Sequence, residues 1–278
     1  MTEPPVPINE LFARLLGAIQ NLADGSEPAL EALSRVGQAT PGWMRAHLKM
    51  RHTTPSPSGI LACRYQQWLR AKGFPPDDAP PIAWQRRRSM GILAEPYWLS
   101  VFETAGLPVI MPQAELECDV MLAHPDGIMH RFDTTLELKD VTGWDYRRLI
   151  EHPPLEASHP EAYAQLQLNS FAADTGWGLY LAAPADPSML QKLLRGHKRY
   201  PNDYELPVFY LEWIRRDDFY VEYLFERARM IAGDLLSNEA PPREYAAITH
   251  RPDGVKAWPC GYCLWAPTCV DKYGIGGY

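Results

Sequence analysis

The placement of four cysteines constrains the fold of this chain more than any other feature. Cys63 stands alone, whereas Cys260, Cys263 and Cys269 form a C-x2-C-x5-C run within the last nineteen residues of 278. Thiolates spaced in this way serve as ligands of an iron-sulfur cluster or of a structural zinc. Either centre requires residue 63 to meet the C-terminal run, so nearly all of the chain between them must close into one loop. Five cysteines, an odd number in a chain with no export signal, argue against a disulfide framework and for metal ligation by a subset. The fifth, Cys118, lies in the alternating run QAELECDVML and reads as a small buried hydrophobe.

Between those cysteines the sequence texture changes twice. Residues 1–53 read as an N-terminal helical appendage, with amphipathic helices over 9–22 and 28–36 broken at Asp24-Gly25-Ser26. After TTPSPSG, Ser56 and Pro57 read as the N-cap and first position of a helix over about 57–72 that carries Cys63. A further helix is expected over about 84–105. From Leu107 short alternating runs follow, VIMPQAELECDVMLA, GIMHRF and TTLELKDVT, which read as three consecutive strands. Then come a helix over about 159–175, a strand at WGLYLAA, a helix near 187–197, a strand at VFYLEWIR and a helix over about 217–237. This order specifies an α/β protein with a mixed sheet, and residues 54–278 form its single large domain. No run approaches the roughly 20 apolar residues of a membrane span, and MTEPPVPINE lacks the basic and apolar stretches of a secretory signal, so a cytoplasmic location is expected.

The second informative pattern is P-D-x10-E-L-K, at Pro125, Asp126, Glu137, Leu138 and Lys139. On a strand, alternate residues share a face, so Glu137 and Lys139 project together while Leu136 and Leu138 point to the buried side. Asp126 sits at the turn entering the preceding strand, and hairpin pairing returns it toward Glu137. Two carboxylates and the backbone carbonyl of Leu138 make a hard oxygen site suited to Mg2+ or Mn2+. Such an ion acidifies and orients water and neutralises charge on a phosphodiester, with Lys139 holding or deprotonating that water. An isolated E-x-K is commonly a cross-strand ion pair; the preceding P-D gives this one its weight. The net charge of -7 argues against a protein that coats nucleic acid indiscriminately. Localised basic runs remain at Arg86–Arg88, at Arg147 and Arg148, at Lys192, Arg195, Lys198 and Arg199, and at Arg215 and Arg216, although such runs are more often solvated faces.

On these residues the chain resembles the PD-(D/E)xK nuclease superfamily, in particular its RecB-type exonuclease branch with an iron-sulfur cluster, which includes CRISPR-associated adaptation nucleases and bacteriophage recombination exonucleases. The resemblance runs from SPSGILACRYQQWLRAKG to the C-terminus and implies a restriction-endonuclease-like core, a central mixed sheet flanked by helices. It implies Asp126 and Glu137 as metal ligands, Lys139 as the catalytic lysine, and Cys63, Cys260, Cys263 and Cys269 as ligands of a [4Fe-4S] cluster, with zinc as the alternative. Where the branch has G-x-x-x-H, this chain has Gly91-Ile92-Leu93-Ala94-Glu95, so Glu95 replaces histidine as a metal ligand, with His124 and Glu117 as alternatives. Pro96 after it predicts a helix start or kink. The branch's Q-x-x-x-Y corresponds to Gln167 through Phe171, with Gln165 competing for the role of the first residue. The implied activity is a Mg2+- or Mn2+-dependent DNA exonuclease acting on single-stranded ends in recombination, repair or CRISPR adaptation, inside a bacterial or phage-infected cell. The alternative is a catalytically degenerate nuclease-fold protein that binds DNA ends or a recombination or CRISPR adaptation partner.

Overall fold

The computed structural model describes residues 3–27, 29–32, 34–36, 54–78, 82–110, 112, 114–195, 200, 205–245 and 259–273. The expected division at residue 53 falls outside them, as do Lys198, Arg199 and the side chains of Arg86–Arg88 and Arg195. A four-stranded mixed sheet positions the site. Its strands are β3 (Gly127–Met129), β4 (Thr134–Val141), β5 (Trp177–Pro184) and β6 (Tyr210–Arg215), side by side in that order. β3 and β6 run antiparallel to the central parallel pair β4 and β5. All eight residues of β5 are buried, which explains its near-continuous apolar sequence: a central strand covered on both faces has no solvent side to alternate with.

One face of the sheet, carrying Leu136, Leu138, Leu179 and Leu181, packs against α1 (Ile8–Ala23) and α3 (Ile82–Thr104). Although α1 was expected as an appendage, Leu11, Leu15 and Ala18 lie in that same core. α3 runs through Pro96 rather than starting there. The opposite face meets α4 (Gly143–Glu151), the single turn α5 (Leu155–Ser158) and α6 (Pro160–Ala172) through Leu149, Leu155, Leu166, Tyr180 and Ala182. Gly178 permits a close approach here, since a Cβ on it would stand 2.5 Å from the Leu166 side chain. α8 (Asp218–Leu236) then packs on α6, while α7 (Pro187–Arg195) packs on α4.

Three local expectations are corrected. The run beginning at Val109 is not one strand but a hairpin of its own, β1 (Leu116–Cys118) and β2 (Met121–Ala123), which turns at Asp119 with φ of 52°. The GIMHRF strand ends at Met129, and His130–Phe132 form a 3-10 turn before β4. Cys63 is not inside a helix: Pro57–Gly59 make one 3-10 turn, and α2 (Arg64–Ala71) starts after Cys63. Side chains take the carbonyls between these helices: Gln67 donates to Ala62 and to Gly59, which also accepts from the Ala62 N–H, and Arg227 donates to Ile60 and Ala62. Cys118 is buried among apolar residues, as expected.

Candidate active site and thiol pocket

β3 begins one residue after Asp126, and that late start opens the site. Gly127 pairs with Leu136, so β4 extends past its antiparallel neighbour from Glu137 onward. Asp126 fills the vacated place with its side chain: Oδ2 accepts from the Leu138 N–H at 2.6 Å. The N–H and C=O of one strand residue point to the same side, so the Leu138 carbonyl also faces Asp126. Glu137 and Lys139 project from the other face, where Glu137 is fully buried and the Lys139 side chain is 35% exposed. Their ammonium and carboxylate form an ion pair between Nζ and Oε1. Asn169 on α6 donates from Nδ2 to Glu137 Oε2 at 3.1 Å, and its own Oδ1 is buried without a hydrogen-bond partner.

The charges in this cluster do not balance. Burial, and then repulsion from Glu137, pushes the Asp126 pKa well above the ordinary carboxylate range, only partly opposed by Lys139 and the Leu138 N–H. Burial likewise raises Glu137, against the pull of Lys139 and Asn169. Glu95 on α3 adds further negative charge to both. Burial works against the Lys139 ammonium, but the charges of Glu137 and Asp126 outweigh it and its pKa is raised. Among the described residues, three carboxylates therefore face one cation. Among the described residues no three His, Cys, Asp or Glu side chains converge into a compact metal-binding group. Asp126 and Glu137 form the pair beside the Leu138 carbonyl, and Glu95 adds a smaller repulsion to both. Glu117, the alternative ligand, is exposed on the β1–β2 hairpin. The donor set suits a hard divalent cation, which would supply the missing positive charge.

Gln167 is turned elsewhere. Its Nε2 donates to the Arg215 carbonyl at 2.9 Å and its Oε1 accepts from the Asp217 N–H at 2.8 Å, so it ties α6 to the β6–α8 junction. Two residues on a helix lie about 200° apart, so when Asn169 faces Glu137, Gln167 must face away. The helix was legible as a contributor to the site, but the Q-x-x-x-Y resemblance falls on Gln167 and Phe171, and Asn169 between them carries no signal of its own in the sequence. Phe171 packs edge-on to Phe225 at 5.0 Å and lies under Arg216. Replacing Gln167 with alanine leaves two backbone groups without partners and is expected to cost about 1–3 kcal/mol of stability. Urea unfolding measures this, and an unchanged midpoint would contradict the tie.

The four predicted thiols share a pocket, although no three of them come close enough to form a compact metal-binding group. Cys63, Cys260, Cys263 and Cys269 line one pocket together with Tyr65, Leu69, Trp265 and Arg243. Backbone and side-chain bonds bring the two ends there: Asp77 N–H to the Leu264 carbonyl, Trp265 Nε1 to the Phe74 carbonyl, and Thr268 Oγ1 to Asp77. Beside Cys63, Arg227 pairs with Glu244 at 2.8 Å and Arg64 with Asp234 at 2.6 Å. Burial raises the Cys263 thiol to about 11 and also raises Cys269, where Arg243 opposes it. The thiols are thus arranged around a shared space instead of closing on a point, and their apolar shelter, with Trp265 buried, suits a cluster that must be kept from water.

No protein-family model matches the chain, and no curated protein does. Similar solved structures include an alkaline exonuclease of Laribacter hongkongensis, with a TM-score of 0.47 and 17% identity over 70% of this chain and 92% of that one. A second is the protein SSO0001, with a TM-score of 0.46 and 13% identity over 84% of this chain and 95% of that one. A third is a phage-related exonuclease from Haemophilus somnus 129PT, with a TM-score of 0.43 and 12% identity over 64% and 79%.

Proposed function

We propose that this chain is a metal-dependent deoxyribonuclease that hydrolyses phosphodiester bonds from single-stranded DNA ends, in recombination, repair or CRISPR adaptation. The supporting observation is the buried excess of negative charge at Asp126 and Glu137, beside one lysine and a strand carbonyl facing an open edge. Buried carboxylates that repel one another are unfavourable unless a cation joins them. Mg2+ or Mn2+ would be held by Asp126, Glu137 and the Leu138 carbonyl, with Glu95 contributing charge, and when bound supplies Lewis acidity toward water and the scissile phosphate. Lys139 is held protonated by its two carboxylates, so it enters as a hydrogen-bond donor to the attacking water or the phosphate oxygen. It becomes able to take a proton only when the carboxylate charge is engaged elsewhere. Asn169 fixes Glu137, and α6 and β4 keep the pair rigid. Cys63, Cys260, Cys263 and Cys269 hold the [4Fe-4S] cluster away from this chemistry, as a structural link.

One observation favours the second reading, a DNA-end-binding protein with a degenerate centre: Gln167 is committed to the β6–α8 junction. The test separates the two. Labelled single-stranded DNA is expected to be degraded with Mg2+ or Mn2+ and not in EDTA, and Lys139→Ala is expected to slow degradation by about 10²–10³-fold. Binding without cleavage at any metal concentration selects the second reading.

A further inference from the structure

We infer that the exposed Trp144 ring is a stacking site for an unpaired nucleobase at the edge of the catalytic centre. The inference rests on the nuclease reading for its substrate class, but its observations are independent of the carboxylates. α4 begins two residues after β4 ends, so Trp144 is five residues beyond Lys139 and its Cα is at most about 17 Å away. The helix lies over the face that bears Glu137 and Lys139. Its Leu149 packs with Tyr180 and Ala182, the register neighbours of Glu137 and Lys139 on β5. The charge of Asp145, next to Trp144, is felt at Tyr180 together with that of Lys139.

Within this helix the burial is one-sided. Tyr146 and Leu149 are fully buried, whereas Trp144 is 78% exposed. A tryptophan this exposed contributes little to the core, and two arginines stand beside it on the helix. The Arg147 guanidinium lies 5.7 Å from the ring centroid, and Arg148 is exposed four residues further on, on the same helical face. Arg147 is committed to Glu151 at 2.9 Å, which leaves Arg148 to meet a phosphate. The nearest carboxylate, Asp145, is engaged by Thr142, whose hydroxyl donates to it at 2.7 Å. An open aromatic ring with cations along one helical face is the combination that holds single-stranded nucleic acid: the base stacks, and the phosphates meet the guanidinium groups. The Arg147-Arg148 run, ambiguous as sequence, thereby acquires a role beside the site. Inside a duplex both ring faces of a base are covered by its neighbours, so a stacking site here selects unpaired bases over the duplex interior.

Binding can be measured without catalysis. The anisotropy of fluorescein-labelled oligo(dT) in EDTA is expected to show a 5- to 100-fold weaker Kd for Trp144→Ala and a change below about 3-fold for Trp144→Phe. A covalently closed circular duplex, which has no terminal base pair, is expected to bind both variants as it binds wild type. Because Trp144 is exposed, both variants keep the wild-type melting temperature. Arg148→Ala is expected to lower the slope of log Kd against log salt by about one unit. Wild-type affinity for oligo(dT) in Trp144→Ala, an equal loss for the duplex, or no oligo(dT) binding by the wild type overturns the inference; the first of these leaves the ring as a surface for a protein partner. Loss of oligo(dT) binding in Trp144→Ala, in a protein that never cleaves DNA, sustains this inference and removes the nuclease reading alone.

Discussion

Asp126→Asn is expected to lower DNA cleavage by on the order of 10³–10⁴-fold, the equivalent of several kcal/mol of lost transition-state charge stabilisation, while leaving the metal-free protein at least as stable as wild type. The two effects have one origin. Asparagine keeps the shape and an oxygen that accepts from the Leu138 N–H, so the strand end stays closed. It removes a charge that burial and Glu137 make unfavourable. The direction with pH follows from the raised carboxyl pKa. Between the ordinary aspartate value of 3.8 and the raised value in the fold, the native state binds a proton that the unfolded chain has released. Stability therefore falls as pH rises through that window and is greatest on its acid side. Glu137, raised as well, acts in the same direction. In EDTA, wild-type melting temperature is expected to decline from pH 5 to pH 8, and Asp126→Asn to decline less. Saturating Mg2+ should restore the wild type far more than the variant. Equal slopes for the two proteins, or undiminished cleavage, would falsify the assignment of Asp126.

How far the sequence could be read depended on the range of the interactions involved. The β4 residues Glu137 and Lys139 were legible because strand alternation is local, and WGLYLAA was legible as a strand from its own apolar run, while only the structure shows it to be central. The return of Asp126 to Glu137 was legible because a hairpin is a near neighbour in sequence. What failed needed knowledge of distant partners. The helix expected to contain Cys63 is interrupted because Arg227, more than 160 residues away, takes two of its carbonyls. Gln167 and Asn169 lie on one helix that is buried on both sides, so no hydrophobic face marks which polar side chain meets the sheet. α4 was overlooked although Thr142 and Asp145 carry its capping signal, Thr142 Oγ1 accepting from the Asp145 N–H at 3.1 Å. That omission left Trp144 unplaced. The N-terminal helices were set apart because they precede the TTPSPSG break and fall outside the resemblance, and only the packed core brings Leu11 and Leu15 onto the same sheet face as Leu138.

If the thiols hold the proposed cluster, Cys263→Ala is expected to lose its iron and to lower the melting temperature by about 10–20 °C. The size of the effect comes from the loop that the thiol pocket closes. Cys63 and the C-terminal run enclose about 200 residues, and a cross-link over that length removes on the order of 5 kcal/mol of denatured-state entropy if a metal link behaves as a covalent one. For a chain of this size each kcal/mol is worth about 2–4 °C. The link is not the only contact between the two ends. Trp265 sits among Tyr65, Trp68 and Leu69, and Arg227 and Arg64 hold the Cys63 loop through Glu244 and Asp234. The variant should therefore remain folded at low temperature and report the lost link instead of a collapse. Cys118→Ala supplies the comparison, since it removes a buried thiol from an apolar cluster remote from the pocket; its cost is packing alone, about 1 kcal/mol, with iron content unchanged. Anaerobically purified wild type should be brown, with a broad visible absorption that bleaches on reduction, and Cys263→Ala should be colourless. A colourless wild type with stoichiometric zinc would replace iron with zinc in the same pocket and leave the stability argument intact. Equal melting temperatures for Cys263→Ala and wild type would instead remove the link itself, and the four thiols would then be no more than neighbours.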